Sequence, residues 1–148
     1  RQFVKGMRPT PIEPDFTLEY FFALVTGLAA GDKRSVKALL TQEGLIPGLG
    51  NAIAQDIMFR AGLHPKHPIA GLEETQLRAL HNAIRTVVDE VIAGGGRYDE
   101  VDLFNRPGGY RRLMDSSAVG RPCPICGMTV EKFPYLGGAC YVCPHCQE

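Results

Sequence analysis

The sequence predicts a mainly α protein that ends in a small, metal-stapled β-hairpin. Three observations carry this reading. Apolar residues from position 15 to 93 recur at three- and four-residue spacing, and no alternating stretch precedes the C-terminal segment. All five cysteines fall within the last 26 residues. Between the two parts lies a polar connector, residues 97–120, with a Pro107-Gly108-Gly109 turn and room for one helical turn near Arg111–Asp115.

Each element has its own justification. Residues 1–14 read as an extended arm, because Pro9, Pro11 and Pro14 are incompatible with a helix there. Asp15 is a candidate N-cap for a helix running to about Ala30. Its Leu18, Phe21, Phe22, Leu24, Val25 and Leu28 are apolar nearly all round, as in a buried helix. Asp32 can cap a second, short helix with Val36, Leu39 and Leu40 on one face. A third helix is expected from Asn51 to Ala61, with Ile53, Ile57 and Met58 inward and Gly62 as its stop. The fourth starts near Glu73 and ends at Gly94-Gly95-Gly96, with Leu77, Leu80, Ile84, Val87, Val88, Val91 and Ile92 on its apolar face. Two candidate strands follow, Val130–Phe133 and Ala139–Val142, with Gly137-Gly138 at the tip. The expected division is a helical domain with its arm, residues 1–118, and a finger, residues 119–148.

Composition narrows the function classes. With 45% hydrophobic and 22% charged residues, the chain of 148 residues has the make-up of a globular protein and not of a disordered one. No apolar run approaches the roughly 20 residues of a membrane helix, and the opening Arg1-Gln2-Phe3-Val4-Lys5-Gly6 lacks a secretory pattern. Sixteen basic residues balance sixteen acidic ones, so bulk charge does not announce a polyanionic partner. Any nucleic-acid contact must arise locally.

The cysteines supply the sharpest motif. Cys123/Cys126 and Cys143/Cys146 are two C-x-x-C pairs separated by sixteen residues. Each pair places two thiolates on one turn, and four sulfurs at ~2.3 Å complete a tetrahedron around one zinc ion. An odd count crowded at one end is a poor disulfide framework, so a reducing, intracellular setting is expected. Cys140/Cys143 could form an overlapping knuckle, but the reading adopted leaves Cys140 as a small strand residue and His145 facing solvent. About 28 residues cannot bury enough surface to fold alone, so the metal supplies much of the folding energy.

A second motif joins helices two and three: Leu45-Ile46-Pro47-Gly48-Leu49-Gly50-Asn51. Gly48 and Gly50 allow positive φ and close approach of a ligand, and the unpaired first-turn amides of the next helix suit an anion. Asn51 adds a side-chain amide. Taken alone, the motif is weak evidence, since many tight interhelical turns are merely steric, and Pro-Gly-Leu-Gly also resembles the hairpin of helix–hairpin–helix proteins. His64 and His67 could touch DNA or cap their loop, and His81 sits at a helix boundary. Arg111 and Arg112 either meet phosphates or form a solvated pair. No pair of carboxylates forms an acid/base dyad.

The order of features resolves the choice. Gly48-Leu49-Gly50-Asn51, then Phe59-Arg60-Ala61-Gly62-Leu63-His64-Pro65, a long amphipathic helix and a terminal four-cysteine finger closely resemble one family. This is the C-terminal half of the formamidopyrimidine-DNA glycosylase/endonuclease VIII family of base-excision-repair enzymes. The resemblance implies a helix–two-turn–helix domain and a zinc finger that grip phosphates beside a flipped-out damaged nucleotide. It implies that Asn51 is the phosphate-binding asparagine and that Cys123, Cys126, Cys143 and Cys146 are the ligands of one structural zinc. Gly48, Gly50, Arg111 and Arg112 complete the expected DNA contacts. Asp102-Leu103-Phe104 and Tyr135-Leu136-Gly137-Gly138 look more like the endonuclease VIII branch.

Three departures accompany the resemblance. The family's nucleophile is an N-terminal proline amine followed by glutamate on a separate β-rich domain, whereas this sequence opens Arg1-Gln2. The chain alone is therefore expected to be inactive in glycosylase and lyase chemistry. An arginine near the finger tip in many members is replaced by about Gly138, and the frequent Leu-Asp-Gln before the turn reads Leu40-Thr41-Gln42. The implied partner is duplex DNA with a damaged or abasic site, bound by a monomer in the cytoplasm or bacterial nucleoid, without membrane. The competing class is a zinc-ribbon adaptor that binds protein and has no DNA affinity.

Overall fold

The computed structural model describes residues 11, 13–29, 34–41, 46, 49–93 and 113–148. Among these residues four α-helices precede a two-stranded antiparallel hairpin: α1 (Leu18–Ala29), α2 (Val36–Thr41), α3 (Asn51–Ala61), α4 (Glu74–Ala93), β1 (Glu131–Tyr135) and β2 (Gly138–Val142). A 3-10 turn, Ile69–Gly71, lies between α3 and α4. Among the described residues no helix is long and apolar enough to cross a membrane. The expected arm through residue 10, Asp32, Gly48, the triple glycine, the Pro107 turn, Arg111 and Arg112 all lie outside the described residues.

The helix starts differ from expectation in an instructive way. Thr17, not Asp15, caps α1: its Oγ1 accepts the N–H of Tyr20 at 3.0 Å. Ser35 caps α2 likewise, accepting from Ala38 at 3.2 Å. Both hydroxyls satisfy an amide that the helix leaves orphaned. The α2 amides of Val36 and Lys37 are also taken up, by the carbonyls of His67 and Pro65 at 2.8 and 3.1 Å. Helix α3 spans the expected residues and stops at Gly62, which is left-handed at φ 73°. Its Gly62 and Leu63 amides bond back to Phe59 and Met58, the local bonding that closes a helix.

Helices α3 and α4 pack face to face, and α1 lies against α4. The main core gathers Phe16, Phe21, Leu39, Ile57, Met58, Leu80, Ile84 and Val87, all fully buried. At the far end of α4, Val88 is half-buried and Ile92 exposed, so the expected apolar stripe outruns the surface it covers. His81 marks the boundary as expected, stacking on Phe16 with 5.3 Å between ring centroids. A second core lies under the finger, where Phe59 of α3 meets Met114, Val130 and Tyr141.

The strands are each shifted from the expected span. Tyr135 pairs with Gly138, so the turn residues are Leu136 and Gly137, not Gly137 and Gly138. The candidate helical turn at 111–115 is not seen in its described part, where residues 113–120 form bends and turns.

Candidate nucleic-acid interface and metal centre

The finger is fixed to the helices along three lines of contact. At its base, the Glu148 amide donates to the Gly62 carbonyl, the His64 amide to the Glu148 carbonyl and Gln147 Nε2 to the Leu63 carbonyl, at 2.7–3.0 Å. At its entry, buried Asp56 of α3 accepts the Leu113 and Met114 amides at 2.8–3.0 Å. The third line runs from α2 and α3 to strand β2 and the tip, and it encloses the candidate site.

That site is a cleft of about 480 Å³ lined by Lys37, Thr41, Asn51, Leu136, Gly137 and Gly138. Lys37 is only 1% exposed, and its ammonium donates to the Tyr135 carbonyl and lies 3.5 Å from that of Gly138. The Tyr135 ring adds a cation–π contact at 5.8 Å. Asn51 Nδ2 donates to the Ala139 carbonyl at 3.2 Å. Its Oδ1 accepts from Gln55 Nε2 at 3.1 Å. A carboxamide nitrogen carries two hydrogens, so the bond to Ala139 leaves one for the cleft that Asn51 lines.

The structure brings some expected residues together and not others. Asn51 sits at the start of α3 as expected. Gly50 is its N-cap, at φ −95° and ψ 171°, so the positive φ expected for the turn is not used here. A Cβ at Gly50 would meet nothing within 4 Å, which leaves open space before the helix amides. Gly138 is different: a Cβ there would lie 3.2 Å from Asn51 Nδ2 and 3.5 Å from Lys37 Nζ. A side chain at this tip position would crowd the two polar groups of the cleft. Gly48, Arg111 and Arg112 are outside the described residues.

Lys37, Gln55 and Asp56 were not singled out from sequence. Each is buried, and each acts on a residue 57 or more positions away. The only local signal was a lysine between apolar neighbours on a short helix, which ordinarily reads as a solvated face. His64 and His67 both make contacts within their own loop, with His67 Nδ1 3.0 Å from the Pro68 carbonyl. His64 Nδ1 accepts its own loop's Lys66 amide at 3.0 Å and its ring stacks on Phe133 at 5.3 Å. Burial, then the charges of Lys66 and His67, hold its imidazole below the ordinary value.

The sulfurs of Cys123, Cys126, Cys143 and Cys146 all lie within 4.8 Å of one another. Cys123–Cys146 and Cys126–Cys143 are 3.8 and 3.3 Å apart. A tetrahedron with metal–sulfur bonds of ~2.3 Å has edges of about 3.8 Å, so the donor set fits a four-thiolate ion. Backbone N–H groups of Ile125 and Cys146 point at Cys123 and Cys143 Sγ, each at 3.4 Å. Burial pushes Cys123 up, but amides of Cys126 and Ile125 and bonds with Cys143 and Cys126 outweigh it and bring the thiol to about 7. Burial and its three neighbouring thiols, with the Cys123 charge, push Cys146 up to about 12. One thiolate forms readily and opposes the next; a divalent cation among them removes that opposition. Cys140 is fully buried in β2 and outside the cluster, and His145 is exposed, both as expected.

A helical body with a cysteine-clustered hairpin docked on it, and a cation-bearing cleft between them, defines a class of helix–two-turn–helix proteins. A family model described as the formamidopyrimidine-DNA glycosylase H2TH domain matches residues 7–101. Formamidopyrimidine-DNA glycosylase of Listeria innocua is 32% identical over 148 residues, covering 98% of this chain and 53% of that protein. The crystal structure of the MutM (Fpg) protein from Thermus thermophilus superposes with a TM-score of 0.83 at 33% identity, covering 95% of this chain and 53% of that one. Lactococcus lactis formamidopyrimidine-DNA glycosylase, non-covalently bound to DNA containing an AP site, gives 0.79 at 25% identity over 97% of this chain and 51% of that one. This chain belongs to the formamidopyrimidine-DNA glycosylase family and corresponds to the C-terminal half of its members. It spans about half the length of the curated relatives it matches.

Proposed function

We propose that this chain is the damaged-DNA-binding part of a base-excision-repair DNA glycosylase/AP lyase, made of a helical unit, residues 1–118, and a zinc finger, residues 119–148. One observation carries the reading: the cleft between α2, α3 and the finger tip holds a buried ammonium, and among the described residues no carboxylate lines it. A buried charge is costly unless a counter-charge meets it. Carbonyl groups and an aromatic face stabilise Lys37 only in part, and a phosphate seated in the cleft completes the pairing. Asn51, the amides after Gly50, and Arg111 and Arg112 are the further proposed contacts. One zinc, held by Cys123, Cys126, Cys143 and Cys146, fixes the finger tip over the cleft. The lactococcal relative bound to an AP site points to a backbone already distorted by base loss, as for enzymes that extrude their target nucleotide.

With sixteen charges of each sign, long-range attraction to DNA is weak and short contacts dominate. The zinc-loaded chain should bind duplex DNA with an abasic or kinked step better than intact duplex. The salt slope should be shallow, about two to four, since few phosphates are met by cations. Asn51→Ala should weaken binding by roughly 1–2 kcal/mol, the scale of a hydrogen bond to a charged acceptor. The slope should not change, because no cation is removed. Titrations across several salt concentrations measure both quantities. Equal affinities for wild type and mutant would remove the turn from the DNA site, and affinity no better than that of a neutral protein would favour the adaptor class.

A further inference from the structure

Asn51 and Gln55 lie one turn apart on α3 and so share a face. That face meets the outer edge of β2. The Asn51 nitrogen donates to the Ala139 carbonyl at 3.2 Å, and the Gln55 Oε1 accepts the Tyr141 amide at 3.0 Å. Two carboxamides thus pair with alternate residues of the strand, as a neighbouring strand's backbone would. Gln55 is 0% exposed, and its nitrogen is engaged by Asn51 Oδ1 at 3.1 Å and lies 3.7 Å from Cys140 Sγ.

This arrangement decides which way round Asn51 sits. The Tyr141 N–H requires an acceptor, so the oxygen of Gln55 faces the strand and its nitrogen faces Asn51. A nitrogen there requires the oxygen of Asn51, which turns the Asn51 nitrogen toward Ala139 and the cleft. The opposite orientation would set two N–H groups against each other and two oxygens against each other. We infer that Gln55 is a positioning residue that holds the Asn51 amide nitrogen toward the cleft and thereby sets the cleft's affinity for a DNA phosphate. This rests on the phosphate reading above. Gln55 lines no part of the cleft and touches no DNA; its effect passes through Asn51.

A double-mutant cycle separates this role from mere docking of the finger. The probe is a duplex with one tetrahydrofuran abasic-site analogue, titrated with the zinc-loaded 148-residue chain. Four proteins are compared: wild type, Asn51→Ala, Gln55→Met and the double variant. Zinc stoichiometry and thermal midpoint are measured on each. Gln55→Met should lose affinity by roughly tenfold, and should cost nothing further once Asn51 is alanine. Where Gln55→Met does not fold, Gln55→Glu at alkaline pH enters the same cycle, since a carboxylate still accepts from Tyr141 but no longer donates to Asn51. An equal loss in both backgrounds, or no loss in the wild-type background, would overturn the positioning role alone. An Asn51→Ala variant as tight as wild type would overturn the phosphate reading and the role of Gln55 with it.

Discussion

Lys37 shows how one side chain can trade stability for binding. Its ammonium is buried against carbonyl oxygens of the finger tip, with no carboxylate among the described residues that line the cleft. An apolar group of similar volume removes the cost of desolvating the ammonium, which offsets the loss of its bonds to the two carbonyls. Lys37→Met should therefore leave the thermal midpoint unchanged or raise it. The same change should weaken binding to abasic-site DNA by roughly tenfold and lower the salt slope by about one, the signature of one lost cation–phosphate contact. Paired melting and salt-titration experiments read both effects. A fall in midpoint with unchanged slope would make Lys37 a structural strut. Asn51 was legible in the sequence because it opens a helix beside a glycine turn, a local pattern. Lys37 was not, because what defines it is a carbonyl 101 residues away.

At the scale of elements, the hairpin carries a local conflict. Leu136 has φ 52° and Gly137 φ 77°, so both turn residues are left-handed, as in the two-residue turns that favour Asn-Gly. A leucine in that conformation costs about 1–2 kcal/mol, and Leu136 is 47% exposed, so little packing offsets the cost. Leu136→Asn should raise the stability of the zinc-loaded chain by about 1 kcal/mol in urea unfolding. An unchanged midpoint would mean that the exposed leucine contributes packing equal to its strain. This conflict also explains the misplaced turn: Gly137-Gly138 was the better tip by residue type, yet the register seats Gly138 on β2, against Asn51. Helices α3 and α4 were legible because periodicity and a stop glycine act within a few residues. The caps were missed by a short distance, since Asp15 and Thr17 are both good cap residues and only the approach of the chain chooses between them.

For the whole molecule, the question is which half depends on the other. The main core is drawn from the helices and their connecting segments, without the finger, whereas the second core needs Phe59 of α3 as well as the finger residues Val130 and Tyr141. The finger therefore borrows apolar surface from the helices and needs the metal to close its own turns. What the helical part gains from the finger in return is mainly polar: partners for Lys37, Asn51 and Gln55, bonds to the 62–64 loop, and the stack of His64 on Phe133. Stripping the metal with a chelator should accordingly leave most of the far-ultraviolet helical signal while the hairpin unfolds. Binding to abasic-site DNA should be lost at the same step, because the carbonyls of Tyr135, Gly138 and Ala139 that shape the cleft leave with the finger. Adding zinc back should restore both the hairpin and the affinity. Affinity that survives stripping would place the phosphate site on the glycine turn alone, and collapse of the helical signal would show that the second core is needed to hold the first.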